Sequence, residues 1–252
     1  MGKRFTLNVV GTEVSLAVDA SSPRLFKRLA KGMPHEVGVA GAFMSAARQS
    51  TCFLDVGSHV GWYGALAAAA NQRLAIVLVE PNGACLKIAV ANTRLNGVRN
   101  VVAIPAAAGQ WTGVTFLNED SSADSMLSHA APEAKGQCKV VTQRTIDSIC
   151  EELGVYPDLL KIDVEGAELE VLLGSARLLA TSPTVFLELH GHLQDGREVA
   201  SEVIQLLTDR RYELSMCRKD AAGRSQHIGD QCGNVMLIAN PRRRRSWKLN
   251  RT

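Results

Sequence analysis

Phe53 to Gly64, FLDVGSHVGWYG, constrains this chain more than any other stretch. An apolar run stops after Asp55 and gives way to Gly57 and Gly61 before a helical pattern resumes. A buried strand that runs through a glycine turn into a helix is how a parallel α/β domain holds a nucleotide-like ligand. The strand carries the chain inward, the glycines allow a tight turn and a close backbone approach, and the helix start offers free N–H groups.

The flanking sequence supports that architecture. Phe5, Leu7, Val9 and then Val14, Leu16, Val18 alternate about Gly11-Thr12, the period of a hairpin. Ser22 as N-cap with Pro23 after it opens a short helix to Ala30, and Val37 to Arg48 reads as a second. Residues 1–50 are therefore expected as an N-terminal hairpin and helical extension, 51–240 as the main domain and 241–252 as a basic tail. Within the domain, strands at 52–55, 74–80, 101–105, 159–163 and 185–189 alternate with helices at 62–70, 83–96 and 167–173. Helix 198–209 and strands 212–216 and 235–239 complete a doubly wound, seven-stranded, mostly parallel α/β sheet, its last two strands able to pair antiparallel. Val114 to Leu117 and Lys139 to Thr142 are shorter strands around a polar stretch, Asn118 to Gln137, expected as a loop or lid.

Composition narrows the setting. At 252 residues and 46% hydrophobic, the chain can bury the core of one large domain. The longest apolar region, Ala65 to Val79, is broken by Asn71, Gln72 and Arg73, so no membrane-spanning segment is expected. The start, MGKRFTLNVV, lacks the pattern of a secretory signal, and the six cysteines form no CxxC pair. A reducing cytoplasm is the expected setting. Met1-Gly2 with Thr6 matches the short myristoylation pattern, but in a segment that reads as a strand. The net charge of +3 comes from the tail, where Arg242 to Arg245, Lys248 and Arg251 have no acidic neighbours. Such a tail can touch an anionic surface, and the interior shows no basic stripe that would extend it into a nucleic-acid site.

Open α/β sheets bind ligands at the carboxyl ends of their strands, and Asp55, Glu80, Asp163 and Glu188 are expected there. A carboxylate just before the glycine turn repels a pyrophosphate and suits a ligand carrying an ammonium and a sulfonium. The glycine spacing is D-x-G-x-x-x-G, not the G-x-G-x-x-G of hydride-transfer cofactors. Both points favour S-adenosyl-L-methionine over a nicotinamide. The competing functions are a nicotinamide-dependent oxidoreductase on the same fold and a non-catalytic binding module attached to RNA through the tail.

With these residues the chain resembles the FkbM family of S-adenosylmethionine-dependent methyltransferases, which are mostly O-methyltransferases of sugars and natural products. The resemblance spans Phe53 to His190. It rests on Asp55-Val56-Gly57 with Gly61 and Tyr63, Glu80-Pro81-Asn82, Asn92 and Asn96-Gly97, Thr145-Ile146-Asp147, Lys161 to Glu168, and Glu188-Leu189-His190. It implies a Rossmann-like class I methyltransferase fold. In it Gly57 and Gly61 form the cofactor loop with Ser58, His59 and Tyr63, Asp55 lies near the methionine ammonium, and Glu80, beside Pro81 and Asn82, receives the ribose diol. The family usually has Ala-Asn where this chain has Ser58-His59.

Lys161 and Asp163 are two apart in a strand and share a face, and a lysine in a buried run needs a partner, for which Asp163 is the obvious choice. Asp163 is expected beside the transferred methyl or the acceptor hydroxyl, with Glu165 close behind. His190 or Asp163 is the candidate to take the hydroxyl proton, with His192 the nearest rival of His190. A structural ion pair and a hydrogen-bonded histidine remain the alternatives for these groups. Asp163 and Glu165 have the oxygen chemistry to ligate a divalent metal, but no obligatory metal is expected. The acceptor expected is a hydroxyl on a sugar, glycan or other natural product.

Overall fold

The computed structural model describes residues 2–18, 23–119, 126–128, 137–190, 199–218 and 235–242. The chain opens with β1 (Lys3–Val9) and β2 (Thr12–Val18), α1 (Pro23–Ala30) and α2 (Val37–Gln49). The nucleotide-type half follows as β3 (Cys52–Val56), α3 (Trp62–Ala70), β4 (Ala75–Val79), α4 (Gly83–Leu95) and β5 (Val101–Ile104). Next come β6 (Ala107–Ala108), β7 (Gly113–Glu119), β8 (Met126–Ser128), β9 (Gln137–Arg144) and α5 (Ile146–Leu153). The second half holds β10 (Leu159–Ile162), α6 (Glu168–Leu173), α7 (Ala176–Ala180), β11 (Thr184–Glu188), α8 (Val199–Asp209), β12 (Tyr212–Arg218) and β13 (Val235–Pro241).

Seven strands form the central sheet in the order β12-β13-β11-β10-β3-β4-β5. Neighbours are parallel except around β13, which runs antiparallel to both β11 and β12. The expected antiparallel pair is therefore present, with the last strand inserted between β11 and the one before it. Both faces are covered, which is why β3, β4 and β10 are nearly continuous apolar runs. Side chains alternate between two cores. Phe53, Leu159 and Phe186 join one that includes Phe43 and Leu66, while Leu54, Val56, Leu160 and Leu187 join the other. The register pairs Lys161 of β10 with Asp55 of β3, so the two charged residues replace apolar side chains side by side.

One region departs from the sequence-based expectation. The strands around the polar stretch are longer than expected and leave the main sheet, forming a four-stranded sheet in the order β6-β9-β7-β8. Part of the expected lid is itself strand, β8, paired with β7 through Phe116 to Asn118. Residues 120–125 and 129–136 of it lie outside the described residues. The N-terminal hairpin is continuous with the main core. Leu7, Val9, Val14, Leu16 and Val18 pack into the same core as Phe43 and Phe53.

Two asparagines four apart, Asn92 on α4 and Asn96 at its C-cap, dock that hairpin by imitating a strand edge. Asn92 Oδ1 accepts from Ala17 N (2.7 Å), and its Nδ2 donates to Ala17 O (3.2 Å) and Val60 O (2.7 Å). Asn96 does the same with Ser15 N (2.9 Å) and Ser15 O (2.8 Å). Asn92 is completely buried and also ties down the loop before α3. Asn92→Ala leaves three backbone groups without this partner and is expected to cost about 2–4 kcal/mol. The loss is read as a lowered urea midpoint, with Asn96→Ala costing less. An unchanged midpoint for Asn92→Ala would mean that apolar contacts alone hold the hairpin.

Candidate functional site

The turn after β3 is wedged between two other strands. Gly57 N and Ser58 N both donate to Val79 O at the end of β4 (2.9 and 3.2 Å), and Asp163 N donates to Val56 O (3.0 Å). Gly57 has φ 77°, and a Cβ there would stand 1.7 Å from the carbonyl oxygen of Asp163. Gly61 has φ 80° and lies against α4, where a Cβ would be 2.6 Å from Ala89 Cα. Both glycines are thus demanded by the chain's approach to itself. His59 is a non-glycine residue at φ 45°, a conformation in which histidine, like asparagine, is among the better tolerated side chains.

Three buried polar side chains in this stretch carry atoms with no hydrogen-bond partner among the described residues. They are both oxygens of Asp55, the hydroxyl of Ser58 and the indole N–H of Trp62. Asp55 is only 1% exposed. Burial pushes its carboxyl up to about 7; the pull of Lys161 and the nearby Gly64 N–H, which falls outside hydrogen-bond geometry, oppose the rise, and Asp163 and Glu80 add repulsion. Glu80, also buried, is locked in place, its Oε2 accepting from His59 N (2.9 Å) and its Oε1 from Asn82 N (2.8 Å). Burial raises its pKa and those N–H bonds oppose the rise. Each oxygen keeps a second lone pair for a ligand. The Asn82 side chain caps α4, accepting from Ala84 N and Cys85 N, and Pro81 links it to Glu80.

Tyr63 is turned toward the N-terminal extension. Its hydroxyl donates to Glu36 Oε2, its ring meets Phe43 edge-on at 4.7 Å, and Lys161 Nζ lies 4.8 Å from the ring centroid. Lys161 is 3% exposed and donates to Asp163 Oδ2 at 2.7 Å, the expected pair. Burial alone would lower its pKa; Asp163, Asp55 and Glu36 outweigh this and keep the ammonium charged.

A second group sits at the ends of β10 and β11. His190 Nδ1 is 2.7 Å from Glu168 Oε1, while Nε2 is 3.2 Å from Glu165 Oε2 and 3.5 Å from Glu188 Oε1. Glu168 is completely buried; its Oε1 also accepts from Gly166 N, and its Oε2 has no hydrogen-bond partner among the described residues. Burial would lower the imidazole pKa, but the bond to Glu168 and the charges of Glu168, Glu165 and Asp163 raise it to about 9. Asp163, Glu165 and His190 each offer a ligand atom within 4.8 Å of the others. The structure thus gathers Asp55, Glu80, Lys161, Asp163, Glu165 and His190 at the strand ends, while His192 lies outside the described residues. Glu36 was missed by sequence reasoning because nothing local marks it. Glu168 belongs to the Lys161 to Glu168 motif, but its histidine partner is 22 residues away and no local pattern joins the two.

The model of the methyltransferase FkbM domain matches residues 55–214. Among solved structures, the chain is similar to methyltransferase FkbM from Methylobacillus flagellatus KT, with 16% identity, TM-score 0.50, and 89% of this chain and 56% of that one covered. It is also similar to the SAM dependent methyltransferase from Agrobacterium tumefaciens, with 11% identity, TM-score 0.51, and 96% and 71% covered. At these identities the likeness is one of fold, and the chain spans little more than half the length of the Methylobacillus protein. No curated protein matches it. The sheet order with its single antiparallel strand, the acids at the strand ends and a family match over more than half of the sequence agree: the chain belongs to the FkbM family of S-adenosylmethionine-dependent methyltransferases, on the class I fold.

Proposed function

We propose that this protein is an S-adenosyl-L-methionine-dependent O-methyltransferase acting on a hydroxyl of a sugar, glycan or other natural product. The observation that carries the cofactor is Asp55, a buried carboxylate with no hydrogen-bond partner at the glycine turn. An ammonium supplies what it lacks. Ser58 Oγ offers a further polar contact, and Glu80, held by two backbone N–H groups, would take the ribose diol. Gly57 and Gly61 shape the turn, with His59, Tyr63, Pro81 and Asn82 around it. When bound, the cofactor supplies an electrophilic methyl group on a sulfonium.

The acceptor is placed against Asp163 and Glu165, with His192 a further candidate contact. Asp163 is steadied by Lys161. With Glu168 accepting the Nδ1 proton, a neutral His190 has its lone pair on Nε2 and takes the hydroxyl proton there. No obligatory metal is expected, since the Lys161 ammonium already supplies a fixed positive charge beside Asp163, and turnover is expected to survive exhaustive chelation. Cys52 and Cys150, buried as thiols, support a reducing cytoplasmic setting, and among the described residues no helix is long and apolar enough to cross a membrane. The basic tail is taken as accessory.

The raised imidazole pKa makes a signed prediction. His190 is protonated at neutral pH, so turnover is expected to climb from pH 7 and level off above about 9. Its contribution to stability runs the other way, fully present below 6.5 and lost as pH rises through about 9. Glu168→Gln is expected to move the kinetic midpoint down by roughly one unit or more and to lower the plateau rate by about 100-fold. A wild-type profile flat from pH 7 to 9 would leave Asp163 as the base. The reaction itself is tested by transfer of labelled methyl into a cell extract, followed by sizing and linkage analysis. An O-methyl ether on a small product or glycan is expected, and label confined to nitrogen or carbon would overturn the O-methyl assignment.

A further inference from the structure

Glu36 lies outside both the stretch that resembles the family, Phe53 to His190, and the matched residues 55–214. It is nevertheless 4% exposed, an uncommon place for a glutamate. Its backbone is left-handed, φ 48° and ψ 44°, at the start of α2, where its carbonyl accepts from Val39 N and Ala40 N. A non-glycine residue is held there only when its surroundings fix it. The side chain reaches into the methyltransferase half. Oε2 accepts the Tyr63 hydroxyl, and Oε1 is 3.2 Å from His35 Nε2, whose ring packs edge-on against Trp62 at 5.7 Å.

We propose that Glu36 is a positioning residue for methyl transfer, acting through Tyr63 and Lys161 on Asp163. The proposal rests on the methyltransferase reading above and extends the working site into the N-terminal region. The contacts run without a gap. Glu36 orients the Tyr63 phenol, whose π face supports the Lys161 ammonium at 4.8 Å, and Lys161 holds Asp163 Oδ2 at 2.7 Å. Burial and the charge of Glu36 raise the Tyr63 pKa well above its ordinary value, so the phenol stays a neutral donor.

Glu36 also shares in balancing Lys161. The buried ammonium is offset by Asp163, Asp55 and Glu36 together. Removing the Glu36 charge removes one of the three pulls that position the ammonium, which then settles closer to Asp55 and Asp163. The groups acting on Asp55 are Lys161, Asp163 and Glu80, so a change transmitted through Lys161 is read at Asp55.

The test compares Glu36→Gln, which keeps an acceptor for Tyr63 but removes the charge, with Tyr63→Phe, which keeps the ring but removes the hydroxyl. S-adenosylhomocysteine affinity is measured by calorimetry from pH 5.5 to 8.5, and kcat and KM are measured with the labelled-methyl assay. Glu36→Gln is expected to lower the pH midpoint of binding by about half a unit or more. Each variant is expected to lose about tenfold in kcat with KM for the methyl donor within about threefold, and the double variant to lose little more than either. A lower melting temperature with the wild-type binding midpoint and kcat in both variants would overturn the proposal, leaving Glu36 a structural strut. Absence of S-adenosylhomocysteine binding in the wild type would instead overturn the methyltransferase reading and this proposal with it.

Discussion

Replacing Asp55 with asparagine is expected to stabilise the ligand-free protein and to cost it its cofactor. In the free protein both oxygens of a 1%-exposed carboxylate lack hydrogen-bond partners, and its pKa stands near 7 instead of 3.8. A carboxyl that holds its proton more tightly folded than unfolded makes folding less favourable as pH rises between those two values. The deficit is absent at about pH 4 and complete above about pH 7. The amide of the Asp55→Asn variant does not titrate, so the variant's advantage in melting temperature over wild type should grow across that window. At neutral pH it should reach several degrees, for about 1–3 kcal/mol. Binding moves the opposite way. With no charge to meet the ligand's ammonium, affinity for S-adenosylhomocysteine should fall by about 100-fold or more. Equal melting curves for the two proteins from pH 4 to 8, or unchanged ligand affinity, would mean that Asp55 is a structural acid.

Gly57→Ala should prevent accumulation of folded protein. The added methyl would stand 1.7 Å from the Asp163 carbonyl oxygen and 2.8 Å from its carbon, backbone atoms held in place by β10 and β3, in a residue already at φ 77°. Relief requires opening the sheet at the site, beyond the 4–5 kcal/mol that marks exceptional substitutions and comparable with the whole stability of many domains. Gly154→Ala separates the two contributions. Gly154 is also at positive φ, 64°, but a Cβ there meets nothing within 4 Å, so only the backbone penalty of about 1–2 kcal/mol applies. Chemical denaturation of both variants checks this. A folded, active Gly57→Ala protein would mean that the turn can move away from β10.

The strand-end acids were legible because a parallel α/β sheet has only one ligand-binding edge. Once 52–55, 74–80, 159–163 and 185–189 read as strands, Asp55, Glu80, Asp163 and Glu188 had to meet there. The Lys161–Asp163 pair followed from the two-residue period of a strand. What sequence could not show were partners brought together by folding. Asn92 and Asn96 were visible as motif residues, but their task, pairing with β2, depends on contacts spanning 75 and 81 positions. Glu36 sits in a segment with no motif, and only the packing of α2 against α3 delivers it to Tyr63. The separate β6-β9-β7-β8 sheet was read as two strands around a loop, because a strand's alternation does not say which sheet it joins.

Calorimetric titration with S-adenosylhomocysteine and with NAD, at pH 6, 7 and 8 and in buffers of different ionisation enthalpy, tests the assignment of the Asp55 turn most directly. One equivalent of S-adenosylhomocysteine should bind, more tightly as pH rises through about 7 and with release of up to one proton at the acid end, while NAD gives no heat of binding. Binding of NAD without S-adenosylhomocysteine, or S-adenosylhomocysteine affinity independent of pH, would contradict Asp55 as the seat of the cofactor's ammonium.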